Sequence, residues 1–265
     1  MTANLNHPSP RALLLANLAH QAGKKIMEIY ASDFSAKEKS DLTPVTLADE
    51  QAEVIIIKGL ENHWPTTPII AEEAAAAGKI PEIENQFFLV DPLDGTKEFL
   101  SRNGEFTVNI ALVENHRPIL GVVFAPALGH MFVGEAGRGA MQHTTAENEK
   151  LADHGWRPIH VRHLPNDGAT VLASRSHRDA ETEAYLATLN VKKIISAGSS
   201  LKFCTIAAGD ADIYPRFGRT MEWDTAAGHA VLCAAGGKVN CATGEPLRYG
   251  KFERGYDNPA FIASA

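Results

Sequence analysis

The run Phe87-Phe88-Leu89-Val90 stops abruptly at Asp91-Pro92-Leu93-Asp94-Gly95-Thr96, and this junction constrains the chain more than any other. A continuous apolar run bounded in this way reads as a strand buried on both faces, because a half-exposed strand would alternate. The strand carries Asp91 to the end of a sheet, and a Pro-led turn at Asp94-Gly95 brings Asp94 back beside it. Two carboxylates so close on a tight turn repel each other. Such a pair persists where a divalent cation neutralises both. Pro, Asp and Gly are also the common residues of surface turns, so the turn alone does not decide the matter.

The rest of the chain gives that strand a setting. Its 265 residues suit one large domain or two small ones sharing a core. With 45% hydrophobic and 22% charged residues, disordered and fibrous classes are excluded. Leu14, Leu18, Ala22, Ile26 and Ile29 fall on one helical face, which predicts an amphipathic helix over 10–31. The apolar stretch 12–16 inside it is too short for a signal peptide and is interrupted by Asn17. A second helix is expected from Thr46 to Asn62, then a short strand Ile69–Ala71 ending at Glu72-Glu73. The Ala-rich stretch 74–80 fits a loop or a short helix. Strands are expected at Phe106–Val113, Ile119–Phe124 and Met131–Val133, the first two joined by a polar hairpin loop.

The polar stretch 143–157 is the best candidate for a boundary. Beyond it, strands at Thr170–Ala173, Lys193–Ser196 and Asp212–Tyr214 alternate with helices at 179–189, Leu201–Ala208 and Thr225–Ala235. The expected fold class is therefore α/β. An α+β N-terminal, metal-binding domain would cover 1–155 and an α/β domain 156–265, with the site at their interface.

The net charge of −7 makes a general nucleic-acid binder a poor expectation, because such affinity comes from Lys and Arg on phosphates. An acidic chain can still handle a small phosphorylated molecule, given metal ions or a local basic pocket. The three cysteines, Cys204, Cys233 and Cys241, form no C-x-x-C pair and read as reduced thiols of a cytoplasmic protein. No apolar run approaches the ~18 residues of a membrane span.

Four further acids deserve weighing beside Asp91 and Asp94. Glu72 and Glu73 end a predicted strand, where paired acids are usually solvated. Asp224 follows Trp223 at the start of a predicted helix, where Asp is a preferred N-cap. Thr46 and Asp49 have the spacing of a capping box. Each has an ordinary explanation alone, yet together they could converge on the carboxyl edge of a sheet, where α/β ligands bind. Mg²⁺ takes oxygen ligands and bridges to substrate phosphates. A phosphatase of the haloacid-dehalogenase type is set aside, because its two aspartates are separated by one residue and here two intervene.

With Glu72-Glu73 upstream and Trp223-Asp224-Thr-Ala-Ala-Gly-His229 downstream of Asp91-Pro-Leu-Asp-Gly-Thr96, the chain resembles the inositol monophosphatase superfamily of Mg²⁺-dependent, lithium-sensitive phosphatases. The segments Lys39–Thr46, Lys97–Leu100, Asn103–Ala111, Ser174–His177, Gly198–Cys204 and Tyr214–Gly218 resemble, within it, the 3'(2'),5'-bisphosphate nucleotidases of the CysQ type. Ala71, where such proteins usually have Ser, and the Ala-rich stretch after Glu73 depart from the pattern. The resemblance implies a layered αβαβα sandwich and two or three Mg²⁺ ions. Glu72, Asp91 and the backbone carbonyl of Leu93 would hold the first ion, and Asp91, Asp94 and Asp224 the second. Glu72 would reach a third through water. Asp49 and Thr96, with Glu72, would act catalytically on the attacking water. It also implies a cytoplasmic enzyme, in some relatives peripheral on the inner membrane, and a homodimer as the common assembly.

The implied reaction removes the 3'-phosphate of adenosine 3',5'-bisphosphate, or of the 3'-phosphorylated sulfate donor. The alternative is inositol monophosphate or another sugar phosphate, and a different class is a metabolite-binding protein that kept the fold without catalysis. Substrate would be met by Glu72, Leu93, Asp94, Gly95, Thr96 and Asp224. A second phosphate needs further donors: Ser199, Ser200 and Lys202 open a predicted helix. Arg175, His177, Arg216 and Arg219 are the other basic candidates, while His229 reads as a packing residue.

Overall fold

The computed structural model describes residues 7–32, 44–145, 150–173 and 180–265. The segment before Pro44 in the Lys39–Thr46 motif and all of Ser174–His177 lie outside the described residues.

Helix α1 spans Pro10–Tyr30, with Pro10 in its first turn and the Ser9 hydroxyl accepting the Ala12 N–H at 3.2 Å. Helix α2, Pro44–His63, packs against it and continues through Gly59. Beneath them lies a seven-stranded sheet in simple sequence order. Its strands are β1 (Ile69–Ala71), β2 (Gln86–Asp94), β3 (Thr107–Glu114), β4 (Arg117–Ala125), β5 (His130–Glu135), β6 (Gly139–Thr144) and β7 (Arg157–Ile159). Only β1 and β2 run parallel; the others form an antiparallel meander.

Both faces of this sheet are covered, and β2 shows how. Phe88 and Val90 join the cluster built on α1 and α2, whereas Phe87 and Leu89 point into the core on the other side. Successive strand residues face opposite ways, so a strand covered on both faces must be apolar throughout. The far core is filled by α6 (Leu201–Ala207) and α7 (Glu222–Ala234).

A five-stranded sheet closes that core. Its order is β11 (Lys238–Cys241), β12 (Phe261–Ser264), β10 (Ile213–Arg216), β8 (Ala169–Leu172) and β9 (Val191–Ile195). The three strands β10, β8 and β9 are parallel, and β12 is antiparallel to both its neighbours. Helix α5 (Ala180–Leu186) covers the outer face, where Leu186 packs with Val171. The layers are thus α1/α2, sheet, α6/α7, sheet and α5, the αβαβα order expected. The first sheet runs on to Ile159 and the second begins at Ala169.

Several local expectations change. The acids Glu72 and Glu73 do not end a strand; they open a short helix α3, Glu72–Ala76, which resolves the Ala-rich stretch. Strand β2 does not stop at Val90 but continues through Asp94, and a helix α4, Thr96–Leu100, follows at once. Strands β6, β7, β11 and β12 lie where no strand was expected.

Candidate active site

The parallel pairing of β1 with β2 builds the first part of the site. Ala71 is in register with Val90, so the next residues, Glu72 and Asp91, leave the sheet edge side by side. Their carboxyl groups are close enough to shift each other's ionisation. Beyond Asp91 the register of β2 against β3 shifts, and pairing resumes at Asp94 with Thr107. The shift lets the Leu93 N–H fold back onto Asp91 Oδ1 at 3.0 Å. Pro92 has no N–H to lose in this irregular stretch. Gly95 then turns the chain at φ 100°, with the Phe106 Cα only 3.2 Å from where a Cβ would stand. A side chain there would meet both backbone strain and a neighbouring strand.

The other acids arrive from helices on the two sides of this sheet. Asp49, on α2, is buried, and its Oδ1 has no hydrogen-bond partner. Asp224 stands in the first turn of α7, where it accepts the Met221 N–H at 2.8 Å. Met221, not Asp224, is therefore the N-cap, and the helix begins earlier than expected, at Glu222.

Asp94 lies between these groups. Its Oδ2 accepts the Ser199 hydroxyl, the Ser200 N–H at 2.9 Å and, weakly, the Asn109 amide at 3.5 Å. Ser199 holds a left-handed φ of 51°, a conformation that costs a non-glycine residue and persists where the surroundings fix it. Here its hydroxyl contacts both Asp94 and Thr107. The Ser200 N–H, expected to face a phosphate, is instead spent on Asp94, and its hydroxyl donates to the Asp224 carbonyl at 2.7 Å.

The electrostatics follow from placing acids together out of water. Burial, then Glu72 and Glu73, push the Asp49 carboxyl up to about 8. Burial lifts Glu72 to about 7, although Asp91 acts to lower it. Asp224 is pushed up to about 8 by burial and then by Asp94. Asp91 and Asp94 are raised as well, again by burial first. Few cations answer them. Lys202 lowers Asp94, and Arg216 lowers Asp224.

An acid cluster of this kind fits a hard divalent cation. Every donor is oxygen, one buried carboxylate oxygen is orphaned, and charge neutralisation would relieve all five groups together. Among the described residues no set of three or more His, Cys, Asp or Glu stands in a ready-made cation cage. Glu72 and Asp91 lie close enough to shift each other's carboxyl.

Beside the acids opens a cavity of about 490 Å³. Asp94, Gly95, Ser199, Lys202 and Asp224 line it, as the sequence suggested. So does Arg216, whose buried Nε has no partner, whereas Arg219 is turned outward to Asp257 at 2.8 Å. The Lys202 ammonium donates to the Ser199 carbonyl at 3.1 Å and lies 5.5 Å from the centre of the Tyr214 ring. Asp49, Glu72, Asp91 and Ser200 do not line the cavity; Leu93 is buried, and Thr96 is exposed on the first turn of α4. His229 is deep in the core with Nδ1 2.9 Å from the Tyr249 hydroxyl, and burial holds its pKa down to about 3.

The profile of the inositol monophosphatase family matches residues 9–265. The chain belongs to that family. The 3'(2'),5'-bisphosphate nucleotidase CysQ of Escherichia coli O157:H7 is 43% identical over 252 residues, spanning 94% of this chain and 98% of that protein. The protein of the same name from Buchnera aphidicola is 44% identical and covers 95% of this chain and 92% of its own length. The crystal structure of CysQ from Bacteroides thetaiotaomicron superposes with a TM-score of 0.83 at 40% identity, covering 96% of this chain and 97% of that one.

Two polar members of this family site escaped the sequence reading. Thr107 and Asn109 are buried on β3, joined by a 3.0 Å hydrogen bond, and link the Ser199 hydroxyl to Asp94. Their signal was visible: two polar residues at alternate positions of an otherwise apolar strand point to one face.

Proposed function

We propose that this protein is a metal-dependent 3'(2'),5'-bisphosphate nucleotidase that hydrolyses the 3'-phosphate of adenosine 3',5'-bisphosphate to give AMP and phosphate, and that also accepts the 3'-phosphorylated sulfate donor. The observation that carries this reading is the cluster of Asp49, Glu72, Asp91, Asp94 and Asp224, five mutually repelling carboxyls beside a cavity that also holds Lys202 and Arg216.

In this reading Glu72, Asp91 and the Leu93 carbonyl would hold one Mg²⁺, and Asp91, Asp94 and Asp224 a second, with Glu72 also available to a third. Bound there, the ions would supply a polarised water and neutralise charge on the phosphoryl oxygens. Phosphate monoesters are among the slowest of all groups to hydrolyse unaided, so charge stabilisation must provide most of the acceleration. The chain's own groups do the rest. Asp49, with its orphaned and high-lying carboxyl, accepts the proton of the attacking water. Thr96 orients that water from the first turn of α4. Gly95 leaves room for the phosphoryl group to approach the backbone. Lys202 and the unpartnered Arg216 Nε meet the second phosphate on the far side of the cavity, with the Ser199–Ser200 loop shaping its wall. No side chain needs to form a phosphoenzyme. The site lies where an N-terminal metal-binding half, 1–155, meets a C-terminal half, 156–265, and the working assembly is a homodimer in the cytoplasm. No described helix is long and apolar enough to cross a membrane.

The test is phosphate release from adenosine 3',5'-bisphosphate and from inositol 1-phosphate, each with Mg²⁺ and with EDTA. Rapid, EDTA-sensitive release from the nucleotide is expected. Faster turnover of inositol phosphate would refute the substrate assignment, and EDTA-insensitive release would refute the metal assignment.

A further inference from the structure

The first turn of α7 carries Asp224, and it is tied down on several sides: the Ser200 hydroxyl donates to the Asp224 carbonyl at 2.7 Å, and the Gly250 and Lys251 N–H groups donate to the Glu222 carboxylate at 2.7 and 2.8 Å. The segment just before the turn is held from the loop before β12. Asn258 is buried there at 5% exposure, and its side-chain amide donates to the Met221 carbonyl at 2.7 Å, to the Thr225 hydroxyl at 3.1 Å and to the Thr220 hydroxyl at 3.2 Å. The Asn258 backbone N–H adds a bond to the Thr220 carbonyl at 2.9 Å. Its neighbours extend the seam: Asp257 bridges to Met221, and the Tyr256 carbonyl accepts the Glu222 N–H at 2.9 Å.

Met221 is therefore gripped from both sides. Asn258 holds its carbonyl, and its N–H donates to Asp224 Oδ2 at 2.8 Å. Thr220 and Thr225, the other two partners of the amide, both line the cavity beside Asp94 and Asp224. A fixed carbonyl acceptor identifies the group facing Met221 as the amide nitrogen. The Asn258 oxygen is left buried with no partner.

We propose that Asn258 is a positioning residue for the cation site: it acts through Met221 to fix the direction of the Asp224 carboxylate. This rests on the reading of Asp224 as a metal ligand. Partners of metal ligands that set their orientation typically govern affinity by 10–100-fold. Asn258 does not itself line the cavity, and its shortest bond is to the Met221 carbonyl, so the effect carried through Met221 to Asp224 should appear in metal binding before it appears in substrate binding.

The experiment is an equilibrium titration of the substrate-free protein with Mn²⁺, followed by electron paramagnetic resonance. It compares wild type with Asn258→Ala and with Asn258→Ser, which is smaller but keeps a donor and serves if the alanine variant does not fold. Leu186→Ala, in the outer cluster under α5, is the control for simple destabilisation. The expected result is Mn²⁺ affinity about 10-fold or more weaker in Asn258→Ala, an intermediate loss in Asn258→Ser, and no loss in Leu186→Ala despite a lower Tm. The Mg²⁺ needed for half-maximal rate should rise in parallel, with kcat largely recovered at saturating Mg²⁺ and KM for substrate unchanged. Mn²⁺ affinity within about twofold of wild type in both Asn258 variants would overturn the proposal while leaving the metal reading intact. Absence of Mn²⁺ binding in the wild type itself would overturn both.

Discussion

At Asp91 the forces that make the site conflict most directly. The residue is 1% exposed, and Glu72, Asp94, Asp224 and Asp49 all raise its carboxyl after burial itself. In compensation it accepts the Leu93 N–H at 3.0 Å. A side chain kept ionisable under such repulsion is poorly explained by stability, since an isosteric amide would relieve it. Asp91→Asn should therefore leave the metal-free protein folded, with Tm unchanged or raised, while lowering kcat by at least about 10²-fold, the upper range for perturbed metal sites. Calorimetry of the EDTA-treated protein together with phosphate release would check both halves. Turnover near the wild-type rate would remove Asp91 from any bridging role.

Among the elements, α7 is what joins the acid cluster to the scaffold. It lies across β4 and β5 so closely that a Cβ at Gly134 would stand 2.4 Å from the Val231 Cα, a backbone atom that cannot swing aside. Gly134→Ala should push the helix off the sheet and cost about 1–3 kcal/mol, the usual range for overpacking, with a larger proportional loss of kcat because Asp224 moves with it. Urea denaturation beside kinetics would separate the two, and a silent substitution would show that α7 shifts without consequence. The contact itself could not be read from the sequence, because Gly134 lies in an ordinary strand pattern. What was legible followed from strong local patterns. The apolar run 87–90 gave a central strand, and the helical face from Leu14 to Ile29 gave α1. Strand β12 was missed because it is short and acquires its place by pairing with β10 and β11, both distant in sequence. Helix α3 was missed as a helix start because Ala71, its N-cap, has no side chain that can cap. Its exposed amides are met from elsewhere, by the Glu53 carboxylate on α2, which accepts the Glu73 and Ala74 N–H groups at 2.8 and 3.0 Å. The candidate acids were legible one by one, as were Lys202 and Arg216. Of the ties that aim them, Thr107 and Asn109 left only an alternation of polar residues in an apolar strand, while Asn258 carries no motif and depends on tertiary neighbours.

For the molecule as a whole, the acid cluster predicts how stability should vary with pH and metal. Asp49 and Asp224 are pushed up to about 8 and Glu72 to about 7, against ordinary carboxyl values near 4 in an unfolded chain. Groups whose values rise on folding bind more protons in the folded state. Their contribution to stability is therefore fully present below pH about 4 and is lost as the pH climbs through 7 and 8. An opposing trend comes from Asp212, held below the usual carboxylate range chiefly by its paired hydrogen bonds to Arg162 at 2.8 Å. That contribution is present above pH about 4 and is lost only on acidification. The metal-free protein should thus be most stable in mildly acidic solution and should lose Tm steadily between pH 5 and 8, where the two trends no longer oppose each other. Saturating Mg²⁺ should reverse this, because a cation that binds only the folded, ionised cluster stabilises it by mass action, and more strongly as the carboxyls lose their protons. Differential scanning fluorimetry across pH 5 to 8, with EDTA and with Mg²⁺, should give two curves that diverge toward high pH. Parallel curves would mean that the five carboxyls do not form one electrostatic unit, and the case for a shared cation site would fall with them.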